Sequence, residues 1–246
     1  MSNPTPLYPG AAQAELCGQT VWLDPAGAMF LPSESLLVVS DLHFEKGSHY
    51  GTRGQFLPPY DTRATLRAVA AAISRYRPAR VLSLGDTFHD PQAERRMAPD
   101  DRQALKALCE ACDWLFVLGN HDPLPPRDFR GEVHEEVTIA GLRFTHEPEG
   151  ESWNVAGHLH PCAAVSREGR RIRRSSFISD GTRMILPSMG AYTGGLNVLD
   201  PAVQEVLGGE MAVYMRGQGR VYRVPPSALR PDNNHQTRSL PRLKSA

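Results

Sequence analysis

Apolar residues in this chain come in short unbroken runs, each closed by Gly, Asp, Asn or His. Leu36-Leu37-Val38-Val39-Ser40 ends in Asp41, Val81-Leu82-Ser83-Leu84 in Gly85-Asp86, and Trp114-Leu115-Phe116-Val117-Leu118 in Gly119-Asn120. Continuous apolar runs of this length fit strands buried on both faces. Between them the period lengthens to that of a helix. Leu66, Val69, Ala70 and Ile73 share a face behind Asp61, a predicted N-cap, and Pro78 closes the segment. A second helix is predicted over 100–111, with Leu105 and Leu108 at apolar spacing. Upstream, Val21-Trp22-Leu23 and Ala28-Met29-Phe30-Leu31 flank the turn Asp24-Pro25-Ala26-Gly27, which reads as a hairpin over 15–31.

The first half is therefore β-α-β-α-β, an order that favours a largely parallel sheet with ligands gathered at the carboxyl ends of its strands. Beyond Pro126 the pattern changes to short strands at 133–139, 142–145, 154–156, 163–165, 177–179 and 184–186. These predict a second, mixed sheet. Two sheets packed face to face with helices outside give a four-layer α/β/β/α sandwich. The expected organisation is one domain over 13–224 with loosely ordered tails at 1–12 and 225–246, the latter rich in Pro, Asn and Ser.

At 246 residues with 41% hydrophobic and 22% charged content the chain can bury a full core, which argues against general disorder. Its formal net charge is zero, so a case for nucleic-acid binding has to come from local patches rather than from the whole molecule. No apolar stretch approaches 18 residues and residues 1–10 lack a basic and apolar leader pattern, which makes the cytoplasm the expected compartment and excludes a membrane partner. The four cysteines do not form a disulfide framework of the small secreted kind. Cys109-x-x-Cys112 lies inside a helical pattern with no second such pair, which fits core packing better than zinc or redox chemistry.

The strand-end residues carry a specific chemistry. Phosphodiester hydrolysis needs a strong nucleophile at neutral pH and neutralisation of the phosphoryl oxygens, and two divalent ions about 3.5–4 Å apart supply both. In Asp41-x-His43 a spacing of two places both side chains on one side of an extended chain, where they can share an ion. Asp86 at the next strand end is the natural bridge. Asn120 offers a carbonyl oxygen and His146, after Leu142-Arg143-Phe144-Thr145, an imidazole. In Gly157-His158-Leu159-His160 the two rings can reach adjacent ions, and the glycine permits a tight turn. With His121, which follows Asn120, five of the nine histidines fall in these motifs. Taken singly each residue fits ordinary turn formation at a strand end; the ordered set does not.

In order and spacing Asp41-Leu42-His43, Gly85-Asp86, Gly119-Asn120-His121-Asp122, His146 and Gly157-His158-Leu159-His160 resemble the calcineurin-like metallophosphoesterase superfamily. A closer resemblance covers nearly the whole chain. Asp41-Leu42-His43-Phe44-Glu45-Lys46-Gly47, Leu57-Pro58-Pro59-Tyr60-Asp61-Thr62-Arg63, Gly85-Asp86-Thr87-Phe88-His89-Asp90 and the segment 190–200 are similar to bacterial DNA ligase-associated metallophosphoesterases, which are DNA-damage-response endonucleases encoded beside a ligase, a helicase and an exonuclease.

This resemblance implies the metallophosphoesterase form of the sandwich, with Asp41, His43 and His160 on a first ion, Asn120, His146 and His158 on a second, and Asp86 bridging. It also implies that His121 faces the scissile phosphate as a charge stabiliser or proton donor and that Asp122 orients its ring. The two ions would be manganese, with iron or zinc compatible with the mixed nitrogen and oxygen set. The superfamily often carries GDxxD in its second motif, whereas here His89 stands three residues after Asp86. His89 then either takes a phosphate contact or acid role, or supports the loop.

Tyr50 and Arg53 flank the first motif and are candidates for phosphate contact. Arg170 and Arg171 lie in Arg167-Glu168-Gly169-Arg170-Arg171-Ile172-Arg173-Arg174, a predicted hairpin tip that reads either as a basic rim for DNA or as a solvated turn. His49, His134 and His235 have no motif context. The leading expectation is a manganese-dependent DNA endonuclease of DNA repair, cutting single-stranded or damaged DNA by in-line attack of a metal-bound hydroxide and associated functionally with ligase, helicase and exonuclease. The alternatives are a small-molecule phosphodiesterase or phosphomonoesterase, and a non-catalytic scaffold for repair partners.

Overall fold

The computed structural model describes residues 8–124, 126–149, 153–207 and 210–232. Its first sheet runs in chain order: β1 (Ala12–Leu16), β2 (Gln19–Leu23), β3 (Met29–Leu31), β4 (Leu36–Val39), β5 (Arg80–Leu84), β6 (Asp113–Val117) and β7 (Glu132–His134). The strands from β1 to β4 pair antiparallel, and those from β4 to β7 parallel. The parallel part follows from the crossovers. Helices α1 (Lys46–Thr52) and α2 (Asp61–Tyr76) separate β4 from β5, and α3 (Ala93–Arg96) and α4 (Pro99–Ala111) separate β5 from β6.

The second sheet contains β8 (Val137–Ile139), β9 (Leu142–Phe144), β10 (Asn154–Ala156), β11 (Cys162–Arg167), β12 (Arg170–Ser179), β13 (Arg183–Ile185), β14 (Ala212–Arg216) and β15 (Val221–Val224). Its spatial order is β15-β14-β12-β13-β10-β9-β8, with β11 paired to β12. Its parallel pairs are those of β10 with β9 and with β13. The carboxyl ends of β9 and β10 thus lie side by side, as do those of β4, β5 and β6 in the first sheet.

The segment predicted as one strand over 133–139 splits, because Val133 extends the first sheet beside Phe116 whereas Val137 pairs with Phe144 in the second. Strand periodicity is blind to which sheet a residue joins. α1 occupies a stretch expected to be a loop; its sequence, with Gly47 and Gly51, has no apolar stripe, and tertiary bonds hold it instead. Asp61, expected as an N-cap, is the first residue of α2 and is buried, with its carboxylate accepting the Gly47 N–H at 2.7 Å.

Packing produces the layers. Leu16, Leu36, Val38, Leu82, Leu84 and Val117 of the first sheet meet Phe144, Val155, Phe177 and Met184 of the second in one buried cluster. The other face of the first sheet packs through Val39, Val81, Trp114 and Phe116 on Leu66, Val69, Leu105 and Cys109 of α2 and α4, so Cys109 is a core residue. The outer face of the second sheet, Ile178, Ile185 and Val213, is covered by Val198, Leu229 and Val203 of the short α5 (Pro201–Gln204). The fourth layer is therefore one helical turn plus loops. Residues 225–232, expected to be loose, are fixed on this side: Arg230 N–H donates to Ala164 C=O at 2.8 Å, and Asp232 pairs with Arg171 and Arg173. Of the expected N-terminal tail, Ala12 begins β1 and Ala11 N–H donates to Tyr8 C=O at 2.9 Å, while residues 1–7 and 233–246 lie outside the described residues. No helix among those described is long and apolar enough to cross a membrane.

Phe177 is fully buried between the sheets. Phe177→Ala is expected to lower the unfolding free energy by about 3–5 kcal/mol, read as a shifted denaturant midpoint at unchanged slope.

Candidate metal centre

The chain leaves β4 at Val39 and does not stay extended. Asp41, His43 and Glu45 take left-handed conformations with φ of 51°, 45° and 67°. The expectation that Asp41 and His43 share a side of an extended strand is corrected by this geometry: their convergence comes from alternate left-handed turns. Such residues persist only where their surroundings hold them. Here the neighbouring loop does so. Asp41 N–H donates to Gly85 C=O, His43 N–H to Asp86 C=O at 2.9 Å and Phe44 N–H to Thr87 C=O at 2.9 Å, and His89 N–H returns to Phe44 C=O. Asp86, His158 and His160 are left-handed as well, with φ of 49°, 63° and 46°.

These turns bring seven predicted side chains together. His160 Nε2 lies 3.0 Å from Asp41 Oδ1 and 3.4 Å from His43 Nε2. A second group forms around Asn120 Oδ1, with His146 Nε2 at 2.9 Å and His158 Nδ1 at 3.1 Å; the two ring nitrogens are 3.2 Å apart. Asp86 Oδ2 stands between the groups, 3.8 Å from His43 Nε2 and 3.4 Å from His146 Nε2. Donors held roughly 2.1 Å from one ion lie roughly 3.0–3.4 Å from each other, so each group has the dimensions of one coordination shell. Asp41, His43, Asp86 and His146 are buried, and Asn120 is exposed, which opens the centre to solvent on one side.

The electrostatics ask for positive charge at this place. Burial lowers His43 to about 3, which keeps its ring neutral with a lone pair available. Burial works against protonation of His146 too, yet the hydrogen bond and charge of Asp86 raise it to about 9. Asp86, opposed by burial, is held down at about 2, chiefly by His146. His146 Nδ1 faces Leu84 C=O at 3.2 Å, and a carbonyl only accepts, so this nitrogen carries the proton. In the neutral ring Nε2 then aims a lone pair at two oxygen acceptors, Asn120 Oδ1 and Asp86 Oδ2. A divalent cation reconciles that arrangement, and the mixed imidazole, carboxylate and amide set suits manganese, iron or zinc. The residues fit a pair of metal ions.

Two glycines are fixed by this crowding. A Cβ on Gly85 would stand 2.2 Å from His146 Nδ1, and one on Gly157 would stand 2.0 Å from Ser40 Oγ and 2.5 Å from Asp41 Oδ2. Gly157, expected to serve a tight turn, has no positive φ and is needed for close approach instead.

The other expected residues divide. His121 reaches the centre: its ring lies 5.0 Å from that of His43, its N–H donates to Asp86 Oδ1 at 2.9 Å, and its Nδ1 donates to His89 C=O at 2.8 Å. That carbonyl, and not Asp122, orients the ring, so the expected role of Asp122 is corrected. Both Asp122 oxygens are used by backbone: Oδ1 accepts from Asp86 N–H and Gly119 N–H, and Oδ2 from Phe88 N–H, each at 3.0 Å. It clamps the second motif to the third. Burial, with the charge of Asp86, pushes it up to about 7.

His89 stacks on His121 with centroids 4.8 Å apart, and its Nδ1 lies 3.4 Å from His43 Nδ1. Tyr50 lies over His89 at 6.1 Å. Arg53 is exposed at the end of α1. Arg170 and Arg171 are not brought to the centre. They sit at the tip of the β11–β12 hairpin, five residues of strand beyond Cys162, or about 17 Å; Arg171 is engaged by Asp232 at 2.7 Å.

Two residues to which the motifs assign no role join the site. His49 pairs with Asp90 at 2.9 Å and meets the His89 ring edge-on at 4.7 Å, so it lines the centre. Lys46 is half-buried with its pKa lowered, mainly by burial, and its charge acts on Asp86, Asp41, His43 and His89. Its position five residues after Asp41 was the only available hint.

A family model described as calcineurin-like phosphoesterase matches residues 35–180, more than half of the chain. Among solved structures, the nuclease MPE of Pseudomonas putida is 26% identical with a TM-score of 0.68, covering 87% of this chain and all 100% of that one. Yfce, a phosphoesterase from E. coli, is 18% identical with a TM-score of 0.39, over 77% of this chain and 97% of that one. No curated protein matches the chain.

Two substitutions separate the clamp from the ligands. Asp122→Ala strands three backbone N–H groups and is expected to lower stability by about 2–4 kcal/mol in thermal or denaturant unfolding. Gly157→Ala is expected to keep the fold but weaken metal affinity about 10–100-fold, measured by metal analysis of protein dialysed against graded manganese.

Proposed function

The chain belongs to the calcineurin-like phosphoesterase family, and we propose that it is a binuclear manganese-dependent phosphodiesterase that cuts single-stranded or damaged DNA in repair. The observation that carries the phosphodiesterase reading is the position of Asp86 Oδ2 between two donor groups of coordination-shell size. The DNA reading is supported by the likeness to the Pseudomonas putida nuclease over that protein's whole length and by a centre open to solvent at Asn120.

Asp41, His43 and His160 would hold one ion, Asn120, His146 and His158 the other, and Asp86 both. When bound, such a pair supplies hydroxide at neutral pH and neutralises the phosphoryl oxygens. The chain's own residues do the rest. Leu84 C=O fixes the tautomer of His146, and His89 C=O fixes that of His121. With Nδ1 carrying a proton, the Nε2 of His121 is the atom that gains and gives up a second one. Protonated there, the ring donates to the leaving oxygen. Its backbone bond to Asp86 sets that nitrogen's distance from the centre. Lys46 adds positive charge beside the phosphate, and Tyr50 and Arg53 flank its approach.

With manganese the protein is expected to hydrolyse a simple phosphodiester and to open single-stranded circular DNA. His121→Ala should slow both about 10²–10⁴-fold while manganese content and folding stay unchanged. Hydrolysis of the small diester with intact circles would favour the small-molecule reading instead.

A further inference from the structure

Beside the metal centre runs a loop whose two ends rest on ligand-bearing backbone. At one end Gly190 N–H donates to Asp41 C=O at 3.0 Å; at the other Leu196 N–H reaches Leu159 C=O and Leu196 C=O accepts from Cys162 N–H at 2.7 Å. Between them Tyr192 stands in a left-handed conformation with φ of 60°, and its hydroxyl donates to Pro58 C=O at 2.9 Å. That bond ties the loop to residues 53–60, which follow α1 and are tethered in turn by Gln55 N–H to Tyr50 C=O. Tyr50 is the residue that overlies His89. The two loops therefore form one surface, anchored on the centre from both sides.

This surface is aromatic and open. Phe56 is 88% exposed, Tyr60 67% and Tyr192 43%. Two of the three rings follow Arg53, which is exposed and has no ion pair among the described residues. A Phe ring left almost wholly in water is costly and contributes nothing to the core. Exposed rings on the same short stretch of chain as an exposed guanidinium match the alternation of a single nucleic-acid strand, whose bases offer flat apolar faces and whose backbone offers charge. A closed duplex hides those faces.

We propose that Phe56, Tyr60 and Tyr192 form a stacking ledge for unpaired bases of the strand whose phosphodiester lies at the metal centre, with Arg53 contacting its backbone. This rests on the DNA reading above and adds to it the side chains that would hold unpaired bases next to the cut. Stacking needs a π face rather than apolar area alone, and this distinguishes a base from an apolar protein partner.

The test uses the full chain with Phe56→Ala plus Tyr60→Ala, and separately Phe56→Leu and Phe56→Trp. Affinity for a labelled single-stranded oligonucleotide is read by anisotropy in EDTA, and turnover with manganese is read on that oligonucleotide and on bis(p-nitrophenyl) phosphate. The double variant is expected to bind the oligonucleotide about 10–100-fold more weakly, with a matching rise in KM, and to hydrolyse the small diester within about twofold of wild type. Phe56→Trp should bind as wild type and Phe56→Leu should not. Wild-type affinity in the double variant, or in Phe56→Leu, overturns the ledge and leaves the DNA reading in place. A wild-type protein that hydrolyses the diester but neither binds nor cuts oligonucleotides overturns both.

Discussion

Two carboxylates, Asp41 and Asp86, lie at 0% and 2% exposure on the seam between the sheets, and their attraction for positive charge is the interaction on which the centre depends. An ionised carboxylate taken from water without compensation costs many kcal/mol. A permanent solution would be an arginine or lysine in contact. Among the described residues neither carboxylate has such an ion pair; their partners are His43, His146 and His160. Imidazole is a less permanent counter-ion than arginine or lysine because its ordinary pKa lies near neutrality and it carries charge here only where Asp86 imposes it, as on His146, whereas the neutral ring is a good ligand for a divalent cation. The donor set is thus balanced for something the chain does not itself contain, and Lys46 tunes the field from beside it rather than closing it.

That balance sets the demands on the backbone. Left-handed conformations at Asp41, His43, Glu45, Asp86, His158 and His160 are each unfavourable for a side-chain-bearing residue, by about 1–3 kcal/mol where the surroundings over-determine them. They survive because the loops are sutured to one another through His43, Phe44 and His89, and because Asp122 ties the second motif to the third. Behind them stands the inter-sheet core, with Phe144 and Phe177 fully buried. Parallel strands in both sheets deliver their carboxyl ends to the same edge, so ligands from β4, β5, β6, β9 and β10 meet with no long connecting loop.

Much of this was legible in the sequence. The apolar runs marked β4, β5 and β6, and the polar residues closing them marked the centre, because a strand that is buried on both faces leaves its signal in uninterrupted hydrophobicity. What was not legible depended on non-local pairing. β1, β14 and β15 are short and half-exposed, and α1 has no apolar stripe, so neither period reports them. His49 looked unattached because its partner Asp90 lies 41 positions away. Asp122 looked like a partner for its neighbour His121, whereas its hydrogen bonds run to the backbone of residues 86, 88 and 119. Sequence adjacency suggested chemistry where the fold uses the carboxylate as a clamp.

The substitution of His89 for the carboxylate often found at that place follows from the same charge balance. Burial, with the charges of Lys46 and neighbouring rings, lowers His89 to about 4, so the ring is neutral at ordinary pH. If His43 gives Nε2 to a cation, its Nδ1 must carry the proton, and that nitrogen lies 3.4 Å from Nδ1 of His89. His89 then accepts at Nδ1 and its own proton is forced onto Nε2, which has no protein partner among the described residues. A carboxylate in this position would add a third negative charge and could only accept from its surroundings. The imidazole instead adds no charge and presents a donor of fixed tautomer, held between the stacked rings of Tyr50 and His121, which is the polarity an anionic phosphoryl oxygen requires.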